Sequence, residues 1–379
     1  MASIIELGDR IKYLKEHDSQ SYKLFKRVYK VYFETGTMKI PDGMKNKILG
    51  YFGQKNESGE FIETIDQVVN RIENQKIVKI FNKWSGEGAL FNHIRTQRPG
   101  MDKLDIKTQK DQINKLIIDS KANCDFCNAE KYTPEDVFGR VIGEHSVTAA
   151  NIAKYDVWSS LVVFNNHNPL EFNLEELSDY INTGFKWFEK VFLENEEYKF
   201  PFFVWNCLYK AGASQIHGHA QILMSKDISY AKTESMKKTH ETYQNKNNTD
   251  YFQDIYKIHD SLGLVHEIGD VKLYAPITPT KEKEIIINPL ESPFTSKNAK
   301  KVIFNILRYF IDALGVHSYN MAIYCPPLNN NSYFPYLIKI VDRGTILKPT
   351  ADIGGMELYG STVIAEDPYN LIHNIKEYF

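Results

Sequence analysis

The stretch Ser214-Gln-Ile-His-Gly-His-Ala-Gln221 decides how this chain is read. Residues 215–224 have the composition of a strand, and within it His217, His219 and Gln221 alternate with Gly218, Ala220 and Ile222. Positions i, i+2 and i+4 of a strand leave from one face, so two imidazoles and a carboxamide stand in a row. Gly218 and Ala220 keep the backbone thin, leaving room for a ligand or a packed neighbour. A neutral imidazole nitrogen is a good nucleophile towards activated phosphorus, and unperturbed histidine, with pKa about 6.5, is mostly neutral near pH 7. Attack on the α-phosphorus of a nucleoside diphosphate derivative gives a nucleotidyl-histidine, which a second phosphate then discharges. Gln221 has an amide N–H for a non-bridging phosphoryl oxygen but no proton to give, which suits good leaving groups such as a sugar phosphate. The plain alternative is a strand whose two histidines merely form a polar face.

Around this stretch the sequence alternates strands and helices. Residues 156–164 and 202–208 read as strands, with an amphipathic helix over 174–195 between them. Residues 226–260 read as helix plus a surface loop with its tip at 246–249. The plan then recurs: strands at 264–275 and 283–288, a helix at 297–314, strands at 319–324 and 336–341. A helix followed by two strands, twice over, implies an internal duplication. The strand 336–341 has no histidine pair, so only the first half is expected to be catalytic. Residues 1–85 read as helical, with Ile4, Leu7, Ile11 and Leu14 on one stripe and Ile62, Ile65, Val69 and Ile72 on another. The expected organisation is a helical N-terminal extension (1–85), a catalytic half (86–260) and a non-catalytic half (261–379).

Charge narrows the partners. Lys plus Arg (46) nearly balance Asp plus Glu (48), for a formal net charge of -2, which gives no footing to nucleic acid or an anionic membrane. No apolar run approaches the roughly 20 residues that span a bilayer, and residues 1–9 lack the pattern of a signal peptide. Four cysteines, two of them spaced Cys-x-x-Cys, do not make a disulfide framework. A cytoplasmic, reducing setting is the expectation.

Two further motifs carry chemistry. In Asn92-His-Ile-Arg-Thr-Gln-Arg-Pro99, Arg95 and Arg98 offer rigid forks of donors suited to phosphate, although a surface basic pair before a turn is the bland reading. Cys124-Asp-Phe-Cys127 has the spacing of a zinc knuckle, which needs two more ligands. A redox pair, or cysteines that bind nothing, are the alternatives.

With these residues in view, the run from Asn206 to Gln221 resembles the active-site strand of the galactose-1-phosphate uridylyltransferase family. This is the transferase branch of the histidine-triad superfamily, in which glutamine replaces the third histidine. Asn206 lies eleven residues and Ser214 three residues before His217, both at the family's spacing. The Arg95–Arg98 segment is similar to the family's phosphate-binding Arg-x-x-Arg-Pro. The resemblance spans roughly residues 86–379.

It implies an α+β fold of two histidine-triad-like halves with antiparallel sheets and packed helices, preceded by the N-terminal helical extension. His219 would be the nucleophile, Gln221 and Ser214 phosphate contacts, and Asn206 an orienting residue; Asn151 is a candidate for the base site. Zinc would be held by Cys124, Cys127, His167 and His217. A second metal site found in some members is expected to be absent, since Met321 and Ile323 stand where its imidazoles would be. The implied partners are a nucleotide sugar and a sugar phosphate or phosphate, and the implied assembly is a homodimer. The leading function is hexose-1-phosphate uridylyl exchange between UDP-glucose and galactose 1-phosphate. The rival is a phosphorylase moving adenylyl or guanylyl groups to phosphate from a nucleotide sugar or dinucleoside polyphosphate. From another class comes a zinc-stabilised nucleotide-binding protein.

Overall fold

The computed structural model describes residues 3–97, 106–329, 334–348, 351 and 353–379. The N-terminal part is built from helices Leu7–His17, Ser19–Val28, Asp42–Phe52 and Ile65–Glu73, the last started by a Thr64–Gln67 capping box. With them come two strands that the helical reading of 1–85 did not include: β1 (Tyr29–Thr37), after the second helix, and β2 (Asn74–Asn82), after the fourth, antiparallel from Tyr29↔Asn82 to Thr37↔Asn74. Tyr-Lys-Val-Tyr-Phe-Glu-Thr and Lys-Ile-Val-Lys-Ile-Phe are rich in the β-branched and aromatic residues that fit a pleated surface, and here that preference prevails over the neighbouring helical stripes. β3 (Gly88–Phe91) extends this ribbon.

The large sheet uses β4 (Ser146–Ala150), β5 (Trp158–Phe164), β6 (Phe200–Cys207), β7 (His219–Ser225), β8 (Val265–Ile268), β9 (Val271–Tyr274), β10 (Ile285–Pro289), β11 (Tyr319–Tyr324) and β12 (Leu337–Asp342). The stretch expected as one strand at 264–275 is thus a hairpin, turned at Gly269 with φ +62°. The final strand, β13 (Thr362–Ile364), leaves this sheet and pairs parallel with β3, closing a four-stranded sheet in the order β1-β2-β3-β13.

The nine strands lie in the order β4-β5-β7-β6-β11-β12-β10-β9-β8. A hairpin, a helix and a second hairpin (β4–β5, Leu174–Glu194, β6–β7) are repeated as β9–β10, Lys297–Arg308, β11–β12, and the halves join edge to edge where Asn206 of β6 faces Asn320 of β11. The expected duplication is present as one continuous sheet. Leu177, Tyr180, Ile181, Gly184, Trp187, Phe188 and Val191 form the buried stripe of the first half's helix. Gly184 lets it approach β6, since a Cβ there would stand 3.0 Å from the Phe203 ring. The second half's helix packs beside it, so one face of the sheet is covered by helices and the other carries the polar rows. No helix among the described residues is long and apolar enough to cross a membrane.

Candidate functional site

Residues directly opposite each other on paired strands share a face. His219 lies opposite Val163, and Gln221 opposite both Leu161 and Val204; Asn206, two residues beyond Val204, completes the set. The imidazole, the carboxamide and the asparagine amide therefore come from adjacent strands on the polar face. β7 begins at His219 rather than at 215, because the preceding residues are occupied in other ways: Gly218 N–H donates to His167 O at 3.2 Å and His217 is turned into a cluster of sulfur and nitrogen atoms. The thin backbone at 218 serves a packed neighbour, since a Cβ would meet Phe164 Cδ2 at 2.5 Å.

His219 is buried. Its Nδ1 donates to the His217 carbonyl oxygen at 2.8 Å, since a carbonyl can only accept, and this fixes the tautomer with the lone pair on Nε2. Burial lowers its pKa below the ordinary histidine value. The Phe126 ring meets His219 edge-on at 5.3 Å. Gln221, half-buried, donates to the Tyr155 hydroxyl at 3.4 Å.

Cys124, Cys127, His167 and His217 come together, their ligand atoms all within 4.8 Å of one another. His217 Nδ1 stands 3.4 Å from Cys124 Sγ and 3.6 Å from Cys127 Sγ, and Cys127 Sγ lies 3.3 Å from His167 Nδ1. Bond lengths of about 2.3 Å to sulfur and about 2.0–2.1 Å to nitrogen put neighbouring ligands of a tetrahedral ion roughly 3.3–3.8 Å apart. Both imidazoles commit Nε2 to carbonyls, His217 to Phe164 O at 2.7 Å and His167 to Ile117 O at 3.0 Å. Their Nδ1 lone pairs consequently face each other at 3.0 Å. Two neutral acceptors at that distance repel; a cation between them and the two sulfurs removes the conflict, and the carbonyl partners are the outer support such ligands require. Burial pushes His217 down to about 4, so its ring offers a lone pair rather than a proton. The four residues can hold a metal.

Asn206 is held in place across the sheet, and the other candidates lie apart from the row. Ser214 is exposed on the loop between β6 and β7. Asn206 Oδ1 accepts from Asn320 Nδ2 at 2.6 Å; Asn320 also donates to Ala211 O at 2.9 Å and accepts from Arg343. Asn320 and Arg343, like Phe126 and Tyr155, were not singled out from the sequence; the register that sets Asn320 against Asn206 belongs to the assembled sheet and has no local signal. In the same turn Leu208 has φ +63°, a strained conformation for a side chain with a Cβ. Asn151, at the end of β4, accepts from Ala153 N at 3.2 Å and so caps a turn. Arg95 is half-buried in the turn His93–Gln97, whose Ile94 packs on a small N-terminal core; among the described residues no hydrogen bond or ion pair joins it to the His219 strand. Arg98 lies outside the described residues. Met321 and Ile323 are fully buried apolar residues of β11.

No family profile matches the sequence, and no curated protein does. Solved structures do. ADP-glucose phosphorylase from Arabidopsis thaliana, with bound ADP-glucose, is similar with a TM-score of 0.57 at 14% identity, over 76% of this chain and 95% of that one. A GalT-like protein from Arabidopsis thaliana gives 0.55 at 16%, over 68% and 92%. A uridylyltransferase gives 0.53 at 14%, over 65% and 88%. At these identities the likeness establishes the fold. This chain has the α+β fold of the uridylyltransferase-like proteins, and the resemblance carried by the His219 segment is met at that level.

Proposed function

We propose that this chain is a nucleotidyltransferase that carries a nucleoside monophosphate on Nε2 of His219. The observation that carries the reading is the 2.8 Å bond from His219 Nδ1 to the His217 carbonyl, which leaves the outer nitrogen unprotonated. In the first step that lone pair attacks the α-phosphorus of a nucleotide sugar. The N–P bond forms as the bond to the sugar-phosphate oxygen breaks, and the electron pair departs with the sugar phosphate. The ring becomes cationic, and the carbonyl already bonded to Nδ1 stabilises that charge. Gln221 donates its amide to a non-bridging oxygen; it is no acid, and a phosphate leaving group requires none. In the second step an oxygen of the incoming phosphate attacks the same phosphorus, the N–P bond breaks, and the neutral imidazole returns.

Cys124, Cys127, His167 and His217 would hold zinc in this reading, the ion suited to two sulfur and two nitrogen donors. Its contribution is positional. His217 would supply a ring nitrogen to the ion and gives its carbonyl oxygen to His219, so the residue the metal would clamp is the residue that orients the nucleophile.

Uridylyl exchange between UDP-glucose and a hexose 1-phosphate is the first choice of reaction. Adenylyl transfer from ADP-glucose to phosphate is the second, favoured by the similarity to ADP-glucose phosphorylase. Incubation with UDP-glucose, ADP-glucose and GDP-glucose, each labelled at the α-phosphate, should leave acid-labile, alkali-stable label on the wild type from one donor and none on His219→Asn. Discharge by hexose 1-phosphate or by phosphate then names the acceptor. No label from any donor would leave only a nucleotide-binding protein; label persisting in His219→Asn would move the nucleophile elsewhere.

A further inference from the structure

The polar face of the large sheet is presented twice. Gln221 on β7 lies opposite Val204 on β6, and in the repeated half Lys339 on β12 lies opposite Ala322 on β11. By strand order β12 stands where β7 stands. Lys339 thus takes the place of Gln221, and Leu337, two residues earlier, takes the place of His219. The second half keeps the platform and lacks the nucleophile.

Over that platform lies a cavity of about 400 Å³, within the roughly 300–1,000 Å³ of small-molecule sites. Its floor includes Ala322, Lys339 and Tyr274, and its walls come from Tyr29, Glu87 and Tyr251. The N-terminal ribbon and the helix Tyr251–Ser261 thus line it together with the sheet.

The lining fits one kind of ligand. Glu284, 3% exposed, accepts Thr280 N–H through Oε2, while Oε1 has no hydrogen-bond partner among the described residues and stands 3.7 Å from Lys339 Nζ. A buried carboxylate oxygen without a hydrogen bond is an acceptor in want of a donor. Glu87 brings a second carboxylate to the same space. Lys339 and, exposed, Lys232 set two ammonium groups against the two carboxylates; that balance leaves no surplus positive charge for a phosphate, whereas hydroxyl groups donate well to carboxylates, as a ribose does to the acidic residue of dinucleotide sites. Tyrosine rings supply flat apolar faces for the ring that carries those hydroxyls.

We propose that this cavity is a non-catalytic binding site for a neutral ring bearing vicinal hydroxyls, a ribose or a hexose, held by Glu284 and Glu87 between tyrosine faces. With leucine at position 337 the ligand is bound and not transformed. The site does not depend on His219 being a nucleophile, so it is tested on its own.

Calorimetric titration of full-length His219→Asn protein with adenosine, uridine and glucose should show one of them binding at a single site; a nucleoside assigns the ribose, glucose the hexose. Ser235 is exposed at the rim, and Ser235→Trp covers the mouth without entering the core. Binding should weaken at least tenfold in Ser235→Trp and in Glu284→Gln, and, where a nucleoside is the binder, at least tenfold for its 2′,3′-dideoxy form. No binding by any of the three probes, or binding unchanged in the Ser235→Trp protein, overturns the proposal. Ser235→Trp keeps the test decisive should Glu284→Gln fold poorly.

Discussion

Gly218 sits between the residue that faces the metal cluster and the residue proposed as nucleophile, and a side chain there has nowhere to go. Its Cβ would stand 2.5 Å from Phe164 Cδ2. Phe164 cannot easily withdraw, because its ring is stacked on Tyr180 at 3.7 Å and meets Trp205 edge-on at 4.9 Å. Gly218→Ala must displace the strand or that ring, and overpacking of this kind costs about 1–3 kcal/mol. Chemical denaturation should show a loss of that size, with labelling of His219 falling further than the loss of folded protein explains. An unchanged midpoint would mean that the aromatic stack yields freely. The sequence made the thinness of the strand legible, together with the alternation that puts His219 and Gln221 on one face. It could not say which neighbour uses the thin spot, because Phe164 is brought there by pairing across the sheet. Asn320 has no local signal for the same reason, since its partner Asn206 lies more than a hundred residues away, and Arg343 joins the site only through Asn320.

At the scale of elements, the four metal-facing residues tie together three separate pieces of chain. Cys124 and Cys127 flank a short turn after the helix Ile106–Asp119, His167 follows β5, and His217 precedes β7. An ion held by all four would pin the Cys124–Cys127 turn to the end of β5 and the start of β7, and structural zinc is worth on the order of 10 kcal/mol. Elemental analysis should find about one zinc per chain in the wild type and almost none in Cys124→Ser. Nucleotidyl labelling of His219 should fall at least a hundredfold in that variant, because the His217 carbonyl is no longer held. Full labelling in a metal-free protein would separate the clamp from the chemistry. The long periodic elements were the legible ones: the helix expected over 174–195 is found at Leu174–Glu194, and the strand at 319–324 is found at Tyr319–Tyr324. β1 escaped notice because it is largely exposed on both faces, so it shows no clean alternation, and its partner β2 begins only after two intervening helices.

Taken whole, the molecule is a sheet with helices on one face and the N-terminal layer on the other, and His259 stands where that layer meets the sheet. It is fully buried beside the rings of Tyr29 and Tyr274. Nδ1 donates to Ile255 O at 2.8 Å and Nε2 accepts from Ile277 N at 3.2 Å, so both nitrogens are satisfied only by the neutral ring. A second proton would set two donors against each other and bury a charge; burial accordingly pushes its pKa down to about 4. In the unfolded chain the same ring titrates near pH 6.5. Between those values the unfolded state binds a proton that the folded state refuses, so stability is intact above about pH 6.5 and declines as pH falls towards 4, by about 1.4 kcal/mol per unit for this one group. Other buried histidines act in the same window, and the informative quantity is therefore a difference. Glutamine can donate to Ile255 O and accept from Ile277 N without titrating. Denaturation measured from pH 6.5 to 4 should give a slope shallower by about that one-proton amount in His259→Gln than in the wild type. Parallel slopes would mean that His259 already takes up its proton in the folded protein, and that the contact between the N-terminal layer and the sheet opens locally before the molecule unfolds.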